Sequence, residues 1–488
     1  MNRKKFIGWV VSIVLTLFLW CVPTDFFGIE GLSVVEQRII AIFVLAACLW
    51  ISEPIPIWTS SVLVMVLMLL TTSDSMLAFL RPENLDLVTD KSNLVEGSSI
   101  LFISYKAIMA AFADPTVMLF MGGFVLAIAA TKYKFDAALA KVLMKPFGNK
   151  PSMVMLGFIL ITALFSMFMS NTATAAMMLA ILTPVLASLK ESKGRIGLAL
   201  AIPVAANVGG MGTPIGTPPN ATAVKYLTDN LGQAVSFGGW MMIMVPIVIL
   251  ILFLSWLFLQ KFFPFEKGET VNVEIEGSFD KSPKAWIVYI TFIVTILLWV
   301  TGKFTGVNSF SVALIPFAVF TVCGIFDKND LKKVDWDVLW LVAGGFALGV
   351  GLDKTGLAEH LVSAIPFNTW PVMLVVVGSG LLCIIMSTFM SNSATAALLI
   401  PILAAVGTGM TEQLAPLGGA ATLLVGIALS ASLAMSLPIS TPPNALAYAK
   451  GFIKTKDMAV VGIFVGIIGM IISYAVLIFA SKIGLSVC

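Results

Sequence analysis

Residues Ser166-Met-Phe-Met-Ser170-Asn171-Thr172-Ala-Thr-Ala-Ala176 set a group of hydroxyls and one carboxamide inside an apolar region. The pattern returns as Ser387-Thr-Phe-Met-Ser391-Asn392-Ser393-Ala-Thr-Ala-Ala397. Hydroxyls and carboxamides both donate and accept hydrogen bonds, and none of them titrates near neutral pH. Their chemistry is therefore non-covalent: donors for a carboxylate, and oxygen ligands that suit a hard cation such as Na⁺. A second motif is also paired, Thr217-Pro218-Pro219-Asn220 with Thr441-Pro442-Pro443-Asn444. The first of these follows Gly209-Gly210-Met-Gly212-Thr-Pro214-Ile-Gly216, a density of glycine and proline that no regular helix interior carries.

The elements that must position these motifs are membrane helices. Of 488 residues, 59% are hydrophobic and only 11% charged, with a mean hydropathy of +1.01. Soluble domains are about 25% charged, and apolar runs of about 20 residues span a bilayer. The composition predicts an all-α polytopic membrane protein. Net charge is +3 and no basic patch stands out, which argues against nucleic acid as a partner. Cys21, Cys48, Cys323, Cys383 and Cys488 include no CxxC pair and read as apolar packing. His360 is the sole histidine, so neither a zinc nor a haem site is expected. Met-Asn-Arg-Lys-Lys leads into an apolar run with no small-residue cleavage site, which predicts a retained first span.

Apolar runs place eleven spans near 6–22, 38–52, 55–72, 115–131, 196–228, 238–260, 285–301, 309–326, 337–353, 417–449 and 458–481. The segment 71–114, with Asp74, Glu83, Asp86, Asp90 and Glu96, is polar and predicts an amphipathic piece around 98–113. Residues 152–188 would make one helix of about 55 Å, far longer than the roughly 30 Å hydrocarbon core. A helix–turn–helix hairpin fits better, with Ser170-Asn171-Thr172 at its tip. The same reasoning makes 370–408 a second hairpin with Ser391-Asn392-Ser393 at its tip. The spans 196–228 and 417–449 are broken at their Pro-Pro-Asn motifs. A hydrophilic stretch at 261–284, with Glu266, Lys267, Glu269, Glu274, Glu276 and Asp280, divides the chain.

The halves match in order. Gly122-Gly123-Phe124 aligns with Gly344-Gly345-Phe346 at an offset of 222, Ser170-Asn171 with Ser391-Asn392 at 221, and Thr217 with Thr441 at 224. This is an internal duplication. With the N-terminus in the cytoplasm and each hairpin returning to its own side, 21 of the 29 Lys and Arg fall inside, as the positive-inside rule requires. The C-terminus is then outside, and corresponding elements enter from opposite faces. Inverted repeats with broken helices characterise secondary transporters, whose site lies at the repeat interface near the midplane.

Ser, Thr and Asn also join helices in membranes, and a glycine pair can mark a close helix crossing. Packing explains the Gly-Gly-Phe copies well enough. It explains two matched copies of two different polar motifs poorly. No Arg, Lys, His, Asp or Glu lies within either triplet or either Pro-Pro segment. Burying an unpaired carboxylate costs tens of kcal/mol in the ideal limit, and a helix N-terminus returns about 0.3–2 kcal/mol. A cation about 6 Å from a carboxylate contributes roughly 3 kcal/mol at an effective dielectric of about 20. An anionic substrate is therefore expected to arrive with cations, and the motifs hold no titratable group for proton coupling.

Together these paired motifs resemble the divalent anion:sodium symporter family, whose members carry dicarboxylates, citrate or sulfate. The resemblance covers nearly the whole chain. It implies two opposed re-entrant hairpins, an elevator-like motion of a transport domain on a scaffold, and a homodimer in the lipid of the cell inner membrane. The scaffold would comprise 1–131 and 285–353, the transport domain 132–260 and 354–488, with 261–284 as a cytoplasmic linker. By motif position it implies that Ser170, Asn171, Thr172, Ser391, Asn392 and Ser393 bind the substrate carboxylates, with Thr217, Thr441 and Pro442 nearby. One Na⁺ would be held by Ser166, Ser170, Asn171 and Gly216, and another by Ser387, Asn392 and Ser440. Ser393 departs from the family pattern, which has Thr there, and the lost methyl enlarges the pocket. The expected cargo is a C4-dicarboxylate (succinate, malate or fumarate) imported with Na⁺. The alternatives are a Na⁺-independent dicarboxylate exchanger of the same fold, or citrate or sulfate as cargo. A channel has no need of two opposed hairpins, and no carboxylate, histidine or thiol cluster in the motifs suggests an enzyme.

Overall fold

The computed structural model describes residues 3–82, 86–95, 99–273, 278–364, 369–485 and 487. Glu83, Glu96, Glu274, Glu276 and Cys488 lie outside them. The chain opens with α1 (Arg3–Cys21), α2 (Val34–Ser52) and α3 (Ile57–Thr71). Ser33 and Glu36 start α2 through a capping box, Ser33 N donating to Glu36 Oε2 at 2.7 Å and Glu36 N to Ser33 Oγ at 3.3 Å.

The segment 71–114 differs from expectation. In place of one amphipathic piece over 98–113, it forms a parallel pair, β1 (Asp86–Val88) with β2 (Ser99–Leu101), then α4 (Tyr105–Ala110) and a 3₁₀ turn at Ala111–Ala113. Polar anchors decide this. Arg38 donates to Thr71 O and Leu80 O, both at 2.8 Å, and Tyr105 N donates to Asp74 Oδ1 at 2.8 Å. These bonds fix the segment's ends and leave no run long enough for an amphipathic helix.

α5 (Pro115–Lys132) begins behind the N-cap Asp114, whose carboxylate accepts from Thr116 N at 2.8 Å. α6 (Phe135–Met144) leads to α7 (Pro151–Ser166) and α8 (Asn171–Ser188), two helices broken at the predicted tip. α9 (Lys193–Gly209), a 3₁₀ turn at Gly210–Gly212 and α10 (Pro218–Lys225) form the broken span. α11 (Phe237–Phe262) closes the first half. The second half runs α12 (Pro283–Val300), α13 (Gly302–Thr305), α14 (Ser309–Val312), α15 (Leu314–Val322), α16 (Lys328–Leu331), α17 (Trp336–Thr355) and α18 (Leu357–Ala364). It continues with α19 (Val372–Phe389), α20 (Asn392–Gly409), α21 (Thr411–Leu414), α22 (Gly419–Leu433), α23 (Pro442–Ala449) and α24 (Thr455–Lys482). Proline occupies the first turn of α5, α7, α10, α12 and α23, where its missing N–H is no loss.

Among the described residues ten helices are long and apolar enough to cross a membrane, or eleven if the bent pair Thr411–Leu417 and Gly419–Leu433 is one span. The eleven spans read from sequence divide differently. Lys5–Cys21, Ile57–Thr71 and Ser309–Val322 are apolar but shorter, whereas Asn171–Ser188, Val372–Phe389 and Asn392–Gly409 reach full length. Exposed apolar side chains such as Val14, Ile290, Leu382 and Ile467 clothe the outer helices, as hydrocarbon requires. α9 and α22 are the centre of each half, and α22 is buried from Thr422 to its end.

The first glycines of the two Gly-Gly-Phe copies mark close crossings between halves. A Cβ on Gly122 would meet the carbonyl of Ala313, and one on Gly344 would meet Ser61. The duplication is thus also a packing exchange: α5 rests on the second half and α17 on the first.

Candidate functional site

Each junction between paired helices, α7 to α8 and α19 to α20, is built from its own capping. Ser170 accepts from Ala173 N at 3.2 Å and Ser391 from Ala394 N at 3.2 Å, so both serines are N-caps, of α8 and α20. The first intrahelical bonds are Thr174 N to Ser170 O and Thr395 N to Ser391 O, both 3.0 Å. The N–H groups of Asn171, Thr172, Asn392 and Ser393 come before them and remain for a ligand.

Each break is held open by its own asparagine. Asn220 Nδ2 donates to Gly210 O at 3.0 Å and Thr213 O at 2.8 Å. Asn444 Nδ2 does the same for Met435 O at 2.7 Å and Leu437 O at 3.0 Å. The buried carbonyls of the unwound chain thereby keep partners away from water. Thr213 Oγ1 donates to Met167 O, and Ser440 Oγ donates to Thr388 O at 2.8 Å, tying each break to the tip beside it. Gly216 is required here, since a Cβ would run into the carbonyl of Gly210.

The two tips and the two breaks share one cavity of about 500 Å³. Ser170, Asn171, Thr172, Gly216, Thr217, Ser391, Asn392, Ser393, Ser440, Thr441 and Pro442 all line it. Four helix N-termini, of α8, α10, α20 and α23, therefore converge on the same volume and make it attractive to negative charge. Ser166 and Ser387 do not line it. Both are fully buried behind the asparagines, Ser166 Oγ at 2.6 Å from Asn171 and from Ala206 O, Ser387 Oγ at 2.8 Å from Asn392 and 3.0 Å from Ala431 O.

One head of the Asn171 carboxamide lies 2.6 Å from Ser166 Oγ, 3.1 Å from Ala206 O and 3.2 Å from Gly216 O. With Nδ2 turned there, all three oxygens receive a hydrogen bond. With Oδ1 turned there, four oxygens face one another around a single hydroxyl proton. A cation suits the second arrangement and disfavours the first.

Residues that the motifs did not reveal also line the cavity. Asn207 of α9 is 1% exposed, and its Nδ2 donates to Thr441 Oγ1 at 3.1 Å and Asn444 Oδ1 at 3.2 Å. As the single amide in the apolar run of α9 it carried a signal, because polar groups inside membrane helices tend to be functional. Trp58, Asp335 and Asp337 form the rim at the end where α3 and α17 begin. Phe124 lines the wall, and its counterpart Phe346 does not. No Lys, Arg or His is among the described lining residues.

The chain matches the family model described as citrate transporter over residues 47–423. It is 28% identical over 516 residues to a sodium-dependent dicarboxylate transporter of Staphylococcus saprophyticus, covering 98% of this chain and 92% of that one. It is 29% identical over 528 residues to the protein of that name from Staphylococcus aureus, covering 100% and 94%. In fold it resembles the YdaH transporter of Alcanivorax borkumensis, with a TM-score of 0.54 and 13% identity over 78% of this chain and 89% of that one. MtrF of Neisseria gonorrhoeae is similar at a TM-score of 0.54 and 14% identity over 92% and 95%. The chain belongs to the citrate-transporter family, as its likeness to divalent anion:sodium symporters implied, and is a multi-pass membrane transport protein rather than an enzyme.

Proposed function

We propose that the protein imports C4-dicarboxylates (succinate, malate, fumarate) together with Na⁺. The observation that carries this reading is the charge of the cavity: four helix N-termini, no basic side chain among the described lining residues, and two carboxylates, Asp335 and Asp337. A dianion entering such a volume gains about 0.3–2 kcal/mol from each helix terminus, against a desolvation cost of tens of kcal/mol in the ideal limit. Co-bound cations supply the remainder, and the oxygens around Asn171 and Asn392 are where they would sit. The names of the staphylococcal relatives, sodium-dependent dicarboxylate transporters, agree with this cargo.

In this reading Ser170, Asn171, Thr172, Ser391, Asn392 and Ser393 hold the carboxylates, with Thr217, Thr441 and Pro442 beside them. Ser166, Ser170, Asn171 and Gly216 hold one Na⁺, and Ser387, Asn392 and Ser440 another. The hairpins α7–α8 and α19–α20 are re-entrant from opposite faces. Residues 132–260 and 354–488 move as the transport domain against a dimeric scaffold of 1–131 and 285–353. With the N-terminus in the cytoplasm, the rim of Trp58, Asp335 and Asp337 faces inward, so the described state is inward-open. Uptake of labelled succinate into proteoliposomes, with Na⁺ or with choline outside, tests the proposal. Uptake that ignores Na⁺ and requires internal dicarboxylate points instead to the exchanger.

A further inference from the structure

A buried ion pair lies at the end of α10 away from its cavity-lining residues Thr217 and Pro218. Lys225, the last residue of α10, donates to Asp114, the N-cap of α5, and to Asp229 at 2.8 Å. Its ammonium also lies 4.8 Å from the ring centroid of Phe346 in α17. Asp114 and Lys225 are only 8% and 12% exposed. Removing two charges from water is costly, so a pair this buried holds its geometry firmly once formed and resists being half-broken.

All three members have counterparts in the other half. Asp335 is the N-cap of α17 as Asp114 is of α5, at an offset of 221. Lys450 is the first residue past α23, one place beyond Ala449, which matches Lys225 at the motif offset of 224. Phe124 matches Phe346 at 222. Each half thus carries an N-cap aspartate, a phenylalanine and a lysine at or one residue past the end of the short helix, yet the second set is apart. Asp335 and Phe124 line the open cavity, Lys450 is exposed, and neither Asp335 nor Lys450 has an ion pair among the described residues. One set is assembled and its duplicate is apart, with two of its members at the cavity.

We propose that Asp335, Lys450 and Phe124 assemble in a second conformation into the latch that Asp114, Lys225 and Phe346 form here, and that the two latches exclude each other. The proposal rests on the transport reading, because it requires the cavity to open alternately at its two ends. Lys225 ends α10 and Lys450 directly follows α23, eight-residue helices whose other ends line the cavity, so α10 and α23 connect cargo site to latch over about 12 Å. Closing one latch buries a lysine against the N-terminus of α5 or α17 and withdraws the matching phenylalanine from the cavity wall. The latches are not of equal strength. Lys225 has Asp229 as a second carboxylate, whereas the matching position beyond Lys450 is Lys454. Without cargo the state described here is therefore the favoured one.

Charge exchange tests the second latch in the reconstituted full-length protein. Asp335→Lys and Lys450→Asp alone should each lower labelled-succinate uptake about tenfold or more, and the double exchange should recover most of it. Single variants at the parental rate, or a double no better than the worse single, overturn the proposal. A second measurement does not depend on transport or on cargo identity. In a background with the native cysteines replaced by alanine, Asp335→Cys with Lys450→Cys should be linked by a short bifunctional thiol reagent in native membranes. Molecules so linked should fail to link an additional Asp114→Cys and Lys225→Cys pair. Failure of the 335–450 link under all cargo conditions, or both links within one molecule, rejects the two exclusive latches. Parental protein that takes up no dicarboxylate would instead contradict the transport reading alone.

Discussion

Asn207 donates to Thr441 Oγ1 at 3.1 Å, so the central helix of the first half reaches into the broken helix of the second. The same amide group also serves Asn444 Oδ1 at 3.2 Å. One buried carboxamide thus fixes both the cavity-lining threonine and the asparagine that clamps the second break. Replacing Asn207 by Ala leaves Asn444 Oδ1 without its donor, at about 1–3 kcal/mol for a buried group, while Thr441 Oγ1 keeps the bond from Asn444 N at 3.3 Å. The expected outcome is a succinate half-saturation raised about tenfold or more with the protein still inserted. Uptake kinetics beside a membrane-insertion assay check it, and unchanged kinetics would show the bridge to be dispensable.

The two tip asparagines are expected to be indispensable. Asn171→Ala and Asn392→Ala each remove a carboxamide that faces both the cavity and a buried serine. Each should abolish uptake and leave insertion intact. Near-normal uptake by both would reduce the tips to helix packing.

Asn220 and Asn444 have a different task, and their loss should appear first in stability. Asn220→Leu frees the carbonyls of Gly210 and Thr213, and Asn444→Leu those of Met435 and Leu437. Thr213 O keeps Gly216 N at 3.3 Å and Leu437 O keeps Ser440 N at 3.1 Å. Each variant therefore takes the asparagine donor from one otherwise unbridged carbonyl, of Gly210 or Met435, at about 1–3 kcal/mol, enough to lower the melting temperature of the purified protein by a few degrees. A variant that melts like the parent would mean that water or another donor replaces the amide.

Neighbouring glycines should respond unequally. Gly122→Ala drives a methyl into the Ala313 carbonyl, whereas Gly123→Ala meets only Ile215 Cδ1 at 3.5 Å. Expression and melting temperature should fall sharply for the first and little for the second. Equal effects would remove the close crossing of α5 with α14 and α15 as the reason for the first glycine.

Much of this architecture is legible in the sequence because it is written twice. The length of 152–188, the glycine and proline of the breaks and the steady offsets locate both tips and both breaks, and the cavity gathers them. What escapes a motif search is what has no second copy. Ala206 and Ala431 hold matching places behind the tip serines, so the residue that pairs with Asn207 is Ser432, and repeat logic that looks for a second amide passes Asn207 over. Asp335 lies in the connector before the span read from 337 and Asp337 is that span's first residue, and nothing local tells that the start of α17 lines the cavity. Asp114 and Lys225 are 111 residues apart, and only the packing of α5 beside α10 brings them together. The β1–β2 pair escaped because three-residue strands held by distant polar anchors leave no periodicity to read.

The most direct test of the central claim is the Na⁺ dependence of succinate uptake. In proteoliposomes empty of dicarboxylate, an inward Na⁺ gradient should drive accumulation of labelled succinate above equilibrium, and choline in its place should reduce it to the rate of protein-free vesicles. Accumulation that is the same in choline, or that appears only when dicarboxylate is loaded inside, would contradict a cavity in which mobile cations balance the charge of the anion.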